Sequence, residues 1–237
     1  MIRVRRNYVA TRNMLHAYPT FWESGFWASL KIARQAQRRG AMQKLRELAP
    51  LLAIVRRTSP RTIVEIGTAQ GGTFYAWCQV AEPNATIVSI DLPGGPFGGR
   101  DAAADAATLR RFGRREQQLH FLRADSHDAE TRARLEEILR GRGIDFLMID
   151  GDHTYEGVKQ DFEMYAPLVR EGKPIAFHDI LPHPHAPSCE VDRFWNDLRI
   201  GRRHLEFIDR QPDAAGKEYG GIGVVYRDAD HRSIASR

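Results

Sequence analysis

Five clusters of polar residues stand where apolar runs stop, and their types limit the chemistry open to this chain of 237 residues. The stretch TIVEIGTAQGGT, residues 62–73, carries Glu65 two positions before Gly67, followed by Thr68, Gly71 and Gly72. Asp91 closes TIVSID, and Asp125 and Ser126 follow LHFLR. Asp150 closes IDFLMID, with Asp152 and His153 just beyond it, and PIAFHD ends on His178 and Asp179. A glycine-bearing turn lets the backbone bend sharply and approach a ligand at a helix N-terminus, where N–H groups are free. Asp150 and Asp179, at the ends of adjacent parallel strands, would lie roughly 5 Å apart. Two carboxylates that close repel each other unless a cation or a proton lies between them, and hard oxygen ligands suit a divalent ion. An imidazole such as His153, with a pKa near neutrality, can take a proton from a hydroxyl.

The elements that must position these groups alternate from residue 61 onward. Apolar runs predict strands over 62–66, 86–91, 119–123, 144–149, 174–178, 204–209 and 221–226, with helices over 72–81, 101–112, 128–140, 155–170 and 190–200. Alternation of this kind predicts an α/β fold, a Rossmann-like open sheet of seven strands that is mostly parallel with right-handed crossovers. The last two strands are joined by a short glycine-containing link, which predicts an antiparallel pair. Ligands bind such sheets at the carboxyl ends of the strands, where the polar clusters fall. Residues 1–58 read as a helical N-terminal segment, a lid or a dimerisation face, and 59–237 as the main domain. The segment holds an aromatic-rich piece, YPTFWESGFW, an amphipathic run to Gly40 and a helix from Met42 to Arg57.

The spacing of the first cluster selects among nucleotides. A dinucleotide turn wants G-x-G-x-x-G, whereas this chain has E-x-G-x-x-x-G-G. A carboxylate beside the turn repels a pyrophosphate and suits a cationic ligand. The pattern resembles the first motif of class I S-adenosylmethionine (SAM) dependent methyltransferases, whose ligand carries a sulfonium and an ammonium. Asp91 matches their second motif, an acid at the end of the second strand that accepts hydrogen bonds from both ribose hydroxyls. Asp125 and Ser126 fall where that family places its adenine contacts. The resemblance implies a sheet of six parallel strands and one antiparallel strand, with SAM held by Glu65, Gly67, Thr68, Gly71, Gly72, Asp91, Asp125 and Ser126.

Residues 149–180, IDGDHTYEGVKQDFEMYAPLVREGKPIAFHDI, resemble the subgroup that includes cephalosporin-hydroxylase-like proteins and metal-dependent sugar O-methyltransferases of natural-product pathways. With EVDRFWNDLR and the later GGIGVVYR, the resemblance covers about residues 60–227. It implies methyl transfer to a hydroxyl of a small molecule, with Asp150, His178 and Asp179 as ligands of a divalent cation and His153, beside Asp150, as the general base. His178 stands where an oxygen ligand is usual, which leaves magnesium, manganese, another transition ion or no metal open. Asp152 is the second choice of ligand or base. The segment LPGGPFGGRD, residues 92–101, lacks the G-K-[ST] ending of a phosphate loop and reads as a flap beside the ribose.

Composition narrows the alternatives. No apolar run reaches the roughly 18 residues of a membrane span. Two cysteines, Cys78 and Cys189, make no disulfide framework, and with no apolar signal core at the N-terminus a cytoplasmic protein is expected. The net charge of +5 comes from arginine pairs interleaved with acids, without a recognised nucleic-acid module, so a nucleic-acid substrate is not expected. Two other classes stay open on sequence alone. One is an oxygenase-like tailoring protein with iron at His178, Asp179 and the nearby His183 and His185; the other is a methyltransferase acting on RNA or protein.

Overall fold

The computed structural model describes residues 25–92, 94, 106–211 and 216–228. The expected flap and the start of the aromatic-rich piece lie almost wholly outside the described residues. Helix α1 (Gly25–Gln37) and helix α2 (Leu45–Arg57) precede strand β1 (Thr62–Ile66) and helix α3 (Gly72–Val80). Strand β2 (Thr86–Ile90), helix α4 (Ala106–Arg110), strand β3 (Gln118–Leu122) and helix α5 (Ala129–Leu139) follow. Then come β4 (Phe146–Ile149), α6 (Tyr155–Tyr165), β5 (Pro174–Leu181), α7 (Val191–Leu198), β6 (His204–Phe207) and β7 (Gly220–Tyr226).

The seven strands form one sheet in the order β3-β2-β1-β4-β5-β7-β6. Strands β1 to β5 pair in parallel, while β7 runs antiparallel to both β5 and β6. The expected parallel sheet with one reversed strand is therefore the observed one. Strand order turns back between β1 and β4, and a crevice opens at such a switch point beyond the carboxyl ends of the strands.

Side chains alternate across the strands with period two. Val64, Ile66, Val88, Ile90, Leu147 and Ile149 enter a core under α5, α6 and α7. Ile63, Ile87, Phe146 and Met148 enter a second core with Phe74 and Trp77 of α3. Leu48, Leu51, Leu52 and Val55 of α2 and Ala33 and Ala36 of α1 belong to this second core; α2 packs on β6 and β7, and α1 packs on α2 and α3.

Three of the boundaries that differ from expectation bear on the site. Helix α2 starts at Leu45 rather than Met42, because Lys44 is its cap and donates its backbone N–H to Glu47 at 3.2 Å. This leaves residues 40–43 to line the cleft. Helix α6 stops at Tyr165 and passes through a 3-10 turn at Ala166–Leu168 carrying Pro167, which has no N–H to continue a helix. Val169 then bridges Ile144 in parallel. Strand β5 extends to Leu181 through a bulge beyond His178, at which Asp179 adopts a left-handed backbone with φ +58°.

Candidate active site

A cleft lies at the carboxyl ends of β1 to β5. Its lining includes Gly67, Thr68, Gly72, Asp91, Asp125, Ser126, Asp150, His153, His178 and Asp179. Residues expected to bind cofactor and residues expected to act on a substrate thus share one cleft.

On the β1–β2 side, the Gly67 N–H donates to the Ile90 carbonyl at 2.9 Å. Asp91 Oδ1 accepts from the backbone of Thr68 (2.9 Å) and Ala69 (3.3 Å), while Oδ2 meets the Arg123 guanidinium at 3.0 Å. Asp91 therefore braces the turn, and Oδ2, with one donor, keeps a second lone pair for a ligand hydroxyl. Asp125 accepts from the His127 backbone at 2.9 Å, and the Ser126 carbonyl accepts from the Tyr165 hydroxyl at 2.6 Å. Asp125 closes an Asx turn here; the next helix is capped at Asp128.

Two residues expected to touch the cofactor do not line the cleft. Gly71 is the cap of α3, behind the turn. Glu65 shares the strand face of Ile63 and lies under α3, fully buried. Its Oε1 accepts from the Trp77 indole at 2.7 Å and its Oε2 from the Thr68 hydroxyl at 3.0 Å. Thr68 Oγ1 also lies 2.6 Å from the Ser89 hydroxyl. Glu65 thus hydrogen-bonds the turn from beneath.

Burial pushes the Glu65 carboxyl from 4.5 up to about 7, against the hydrogen bonds from Thr73, Trp77 and Thr68. Because the folded-state pKa lies above the unfolded one, the stability this group contributes is full below about pH 4.5 and is lost as pH rises through about 7. A shift of about 2.5 units at about 1.4 kcal/mol each is on the order of 3 kcal/mol. Glu65→Gln keeps an acceptor for Trp77 and cannot ionise. Denaturant unfolding at pH 5 and pH 8 should therefore show a shallower loss of stability in the variant than in the native chain. Equal losses in both proteins would refute this account of Glu65.

The β4–β5 side carries an acid–imidazole cluster. The ladder pairs Ile149 with Phe177, which sets Asp150 level with His178 rather than with Asp179. His178 Nδ1 lies 3.4 Å from Asp150 Oδ1 and 3.3 Å from Asp179 Oδ2. Burial disfavours its charged form, but the Asp150 and Asp179 carboxylates outweigh burial and hold His178 well above its usual pKa. A protonated His178 would balance the charge of the two carboxylates. His153 Nε2 stands 3.4 Å from Asp150 Oδ1, and its Nδ1 stands 3.9 Å from Asp179 Oδ2. Asp150 is held low, at about 2, because His178 and His153 overcome the effect of its burial.

Gln43 was not legible as a site residue. It is 3 % exposed, lines the cleft from the link between α1 and α2, and donates Nε2 to Asp150 Oδ2 at 2.6 Å. Its Oε1 is buried without a hydrogen-bond partner. His127 was also missed; it lines the cleft, with Nδ1 3.5 Å from Asp125 and Nε2 3.4 Å from the buried Asp161. His183 and His185 stack around Tyr219, with ring centroids 5.3 and 6.2 Å away. They do not line the cleft with His178.

The fold matches known proteins. Residues 64–180, just under half of the chain, fit the family model described as a methyltransferase domain. The O-methyltransferase TomG from Streptomyces achromogenes, solved with SAM, superposes with a TM-score of 0.52 at 19% identity, over 85% of this chain and 90% of that one. Cofactor-bound Rv0187 from MTB gives 0.58 at 16% identity over 95% and 100%. The chain shares the fold of these two solved proteins. MycE from the mycinamycin pathway, solved with Mg, SAH and mycinamycin VI, shares this fold, with a TM-score of 0.52 at 14% identity over 84% of this chain and 54% of its own. Among curated proteins, the uncharacterized R132 of Acanthamoeba polyphaga mimivirus is 28% identical over 170 residues, 69% of this chain and 73% of its own. The uncharacterized y4gI of Sinorhizobium fredii is 26% identical over 156 residues, 65% of this chain and 17% of y4gI, so the chain matches only a small part of that relative. Among the described residues no helix is long and apolar enough to cross a membrane.

Proposed function

We propose that this chain transfers a methyl group from SAM to a hydroxyl of a small molecule. The observation that carries the reading is the single cleft that joins the Asp91-braced glycine turn to the Asp150–His153–His178–Asp179 cluster. When bound, SAM supplies an electrophilic methyl on a sulfonium. Asp91 accepts a ribose hydroxyl with the spare lone pair of Oδ2, Asp125 and Ser126 bound the adenine end, and the Gly67–Thr68 backbone floors the cleft between. His153, with Nε2 3.4 Å from Asp150, takes the acceptor's proton. Catalysis on this scheme is positioning of nucleophile, methyl and sulfur in line, with a base at the hydroxyl.

Asp150, His178 and Asp179 are the residues to hold a divalent ion. Their ligand atoms lie within 4.8 Å of one another. One imidazole between two carboxylates suits manganese, which accepts nitrogen with oxygen, better than magnesium. Binding there displaces the proton that His178 carries between the acids, and the ion would acidify a bound hydroxyl.

Calorimetric titration with SAM, with and without EDTA, tests the central claim. Micromolar binding is expected in both arms, because the ion serves the acceptor rather than SAM. Absence of binding in both arms would overturn the reading. Activity on RNase-treated extract, set against small hydroxylated acceptors, separates a macromolecular acceptor from a small one.

A further inference from the structure

Cys189 is a group that the proposed transfer does not use. It is 7 % exposed and sits in the loop between β5 and α7, unoxidised. The next residue, Glu190, donates its backbone N–H to the His153 carbonyl at 2.7 Å, which holds this loop against the His153 turn. The thiol, a ring nitrogen of His153 and a carboxylate oxygen of Asp179 all lie within 4.8 Å of one another. Asp179 reaches this position from the bulge in β5, with φ +58°. A left-handed backbone on a non-glycine residue costs roughly 1–3 kcal/mol and clusters at functional sites. One nitrogen, one oxygen and one sulfur differ in chemistry from the oxygen-rich set that magnesium takes. They are the ligand types of zinc, which binds three protein groups and leaves a fourth position open.

We propose that His153, Asp179 and Cys189 form a second metal site, for a borderline ion of the zinc class, whose occupation withdraws His153 from the acceptor. The nitrogen engaged is Nδ1, the one that faces Asp179 at 3.9 Å. On binding, the thiol loses its proton to solvent and the thiolate, imidazole and carboxylate close on the ion. Asp179 belongs to both sites, so a hard ion at Asp150–His178–Asp179 and a soft ion here compete. The inhibitory part of this inference rests on His153 being the base; the binding part does not.

Cobalt(II) is the probe, because a cobalt–thiolate bond gives a near-ultraviolet charge-transfer band that oxygen and nitrogen ligands do not. The intact chain, stripped with chelator, should develop this band with one equivalent of cobalt and lose it when zinc is added. Cys189→Ser should show no band, and its zinc affinity by calorimetry should fall at least about tenfold; Cys189→Ala serves if the serine variant unfolds. No band with the native chain, or equal zinc affinity in native and variant proteins, would overturn the site. SAM titration of the same samples keeps the two readings apart. SAM binding without zinc binding removes this inference alone, and zinc binding without SAM binding leaves the metal site standing while the transferase reading falls.

Discussion

His153→Gln is expected to lower kcat by roughly 10²- to 10⁴-fold, the range for removal of a general base, with little change in SAM affinity. Glutamine keeps the length of the side chain and a donor for Asp150, and it cannot accept a proton at working pH. Its position explains the expected split: His153 belongs to the Asp150–Asp179 side of the cleft, with contacts of 3.4 and 3.9 Å to those acids. The groups placed against the ribose and adenine sit in the turn after β1, at the end of β2 and after β3. Single-turnover methyl transfer with saturating SAM, alongside calorimetry, checks both halves. A rate within about threefold of the native one would move the base elsewhere, with Asp152 the next group to test.

Gly67→Ala is expected to abolish cofactor binding and to destabilise the fold. A methyl group built on Gly67 would meet the Asp150 carbonyl oxygen at 1.9 Å, its carbon at 2.4 Å and the Gly151 nitrogen at 2.8 Å. All three are backbone atoms, so relief requires the end of β4 to move away from β1. The backbone at Gly67 is also left-handed, with φ +83°, a further cost of about 1–2 kcal/mol for alanine. Overpacking adds about 1–3 kcal/mol. Gly141→Ala separates the two effects, because Gly141 has φ +76° with nothing within 4 Å of the added methyl. Chemical denaturation should show a loss for Gly67→Ala that clearly exceeds the one for Gly141→Ala. Equal losses would mean that the close approach of β1 to β4 contributes nothing.

The strands were legible because buried parallel strands are runs of apolar, β-branched residues that little else produces. Asp91, Asp125, Asp150, His153 and His178 could be placed near one another for the same reason, since each follows such a run. What failed was finer than an element. Glu65 reads as a ligand contact from its motif, yet parity along β1 puts it on the face of Ile63, under Trp77. Asp150 was matched with Asp179, and the true register sets it level with His178; a shift of one residue is invisible without the ladder. Gln43 has no local signal at all, since its partner Asp150 lies 107 residues away in the chain. Cys189 was read only as making no disulfide framework, because spacing alone cannot show that its loop is tied to His153.

The Gln43–Asp150 hydrogen bond gives the two N-terminal helices a part in ligand binding that needs no contact between those helices and a ligand. Helices α1 and α2 share a core with β1 and α3, and Gly72 packs so closely on the link between them that an added methyl would stand 2.1 Å from the Ala41 nitrogen. Opening of α1 and α2 as a unit would therefore remove Gly40–Gln43 from the cleft wall and leave the Asp150 carboxylate without one of its donors. A ligand that binds only the closed form then raises the free energy of this local opening by RT ln(1 + [L]/Kd). By the same linkage, any substitution that loosens α1 from α3 weakens the apparent affinity of the cleft in proportion to the fraction of molecules it opens.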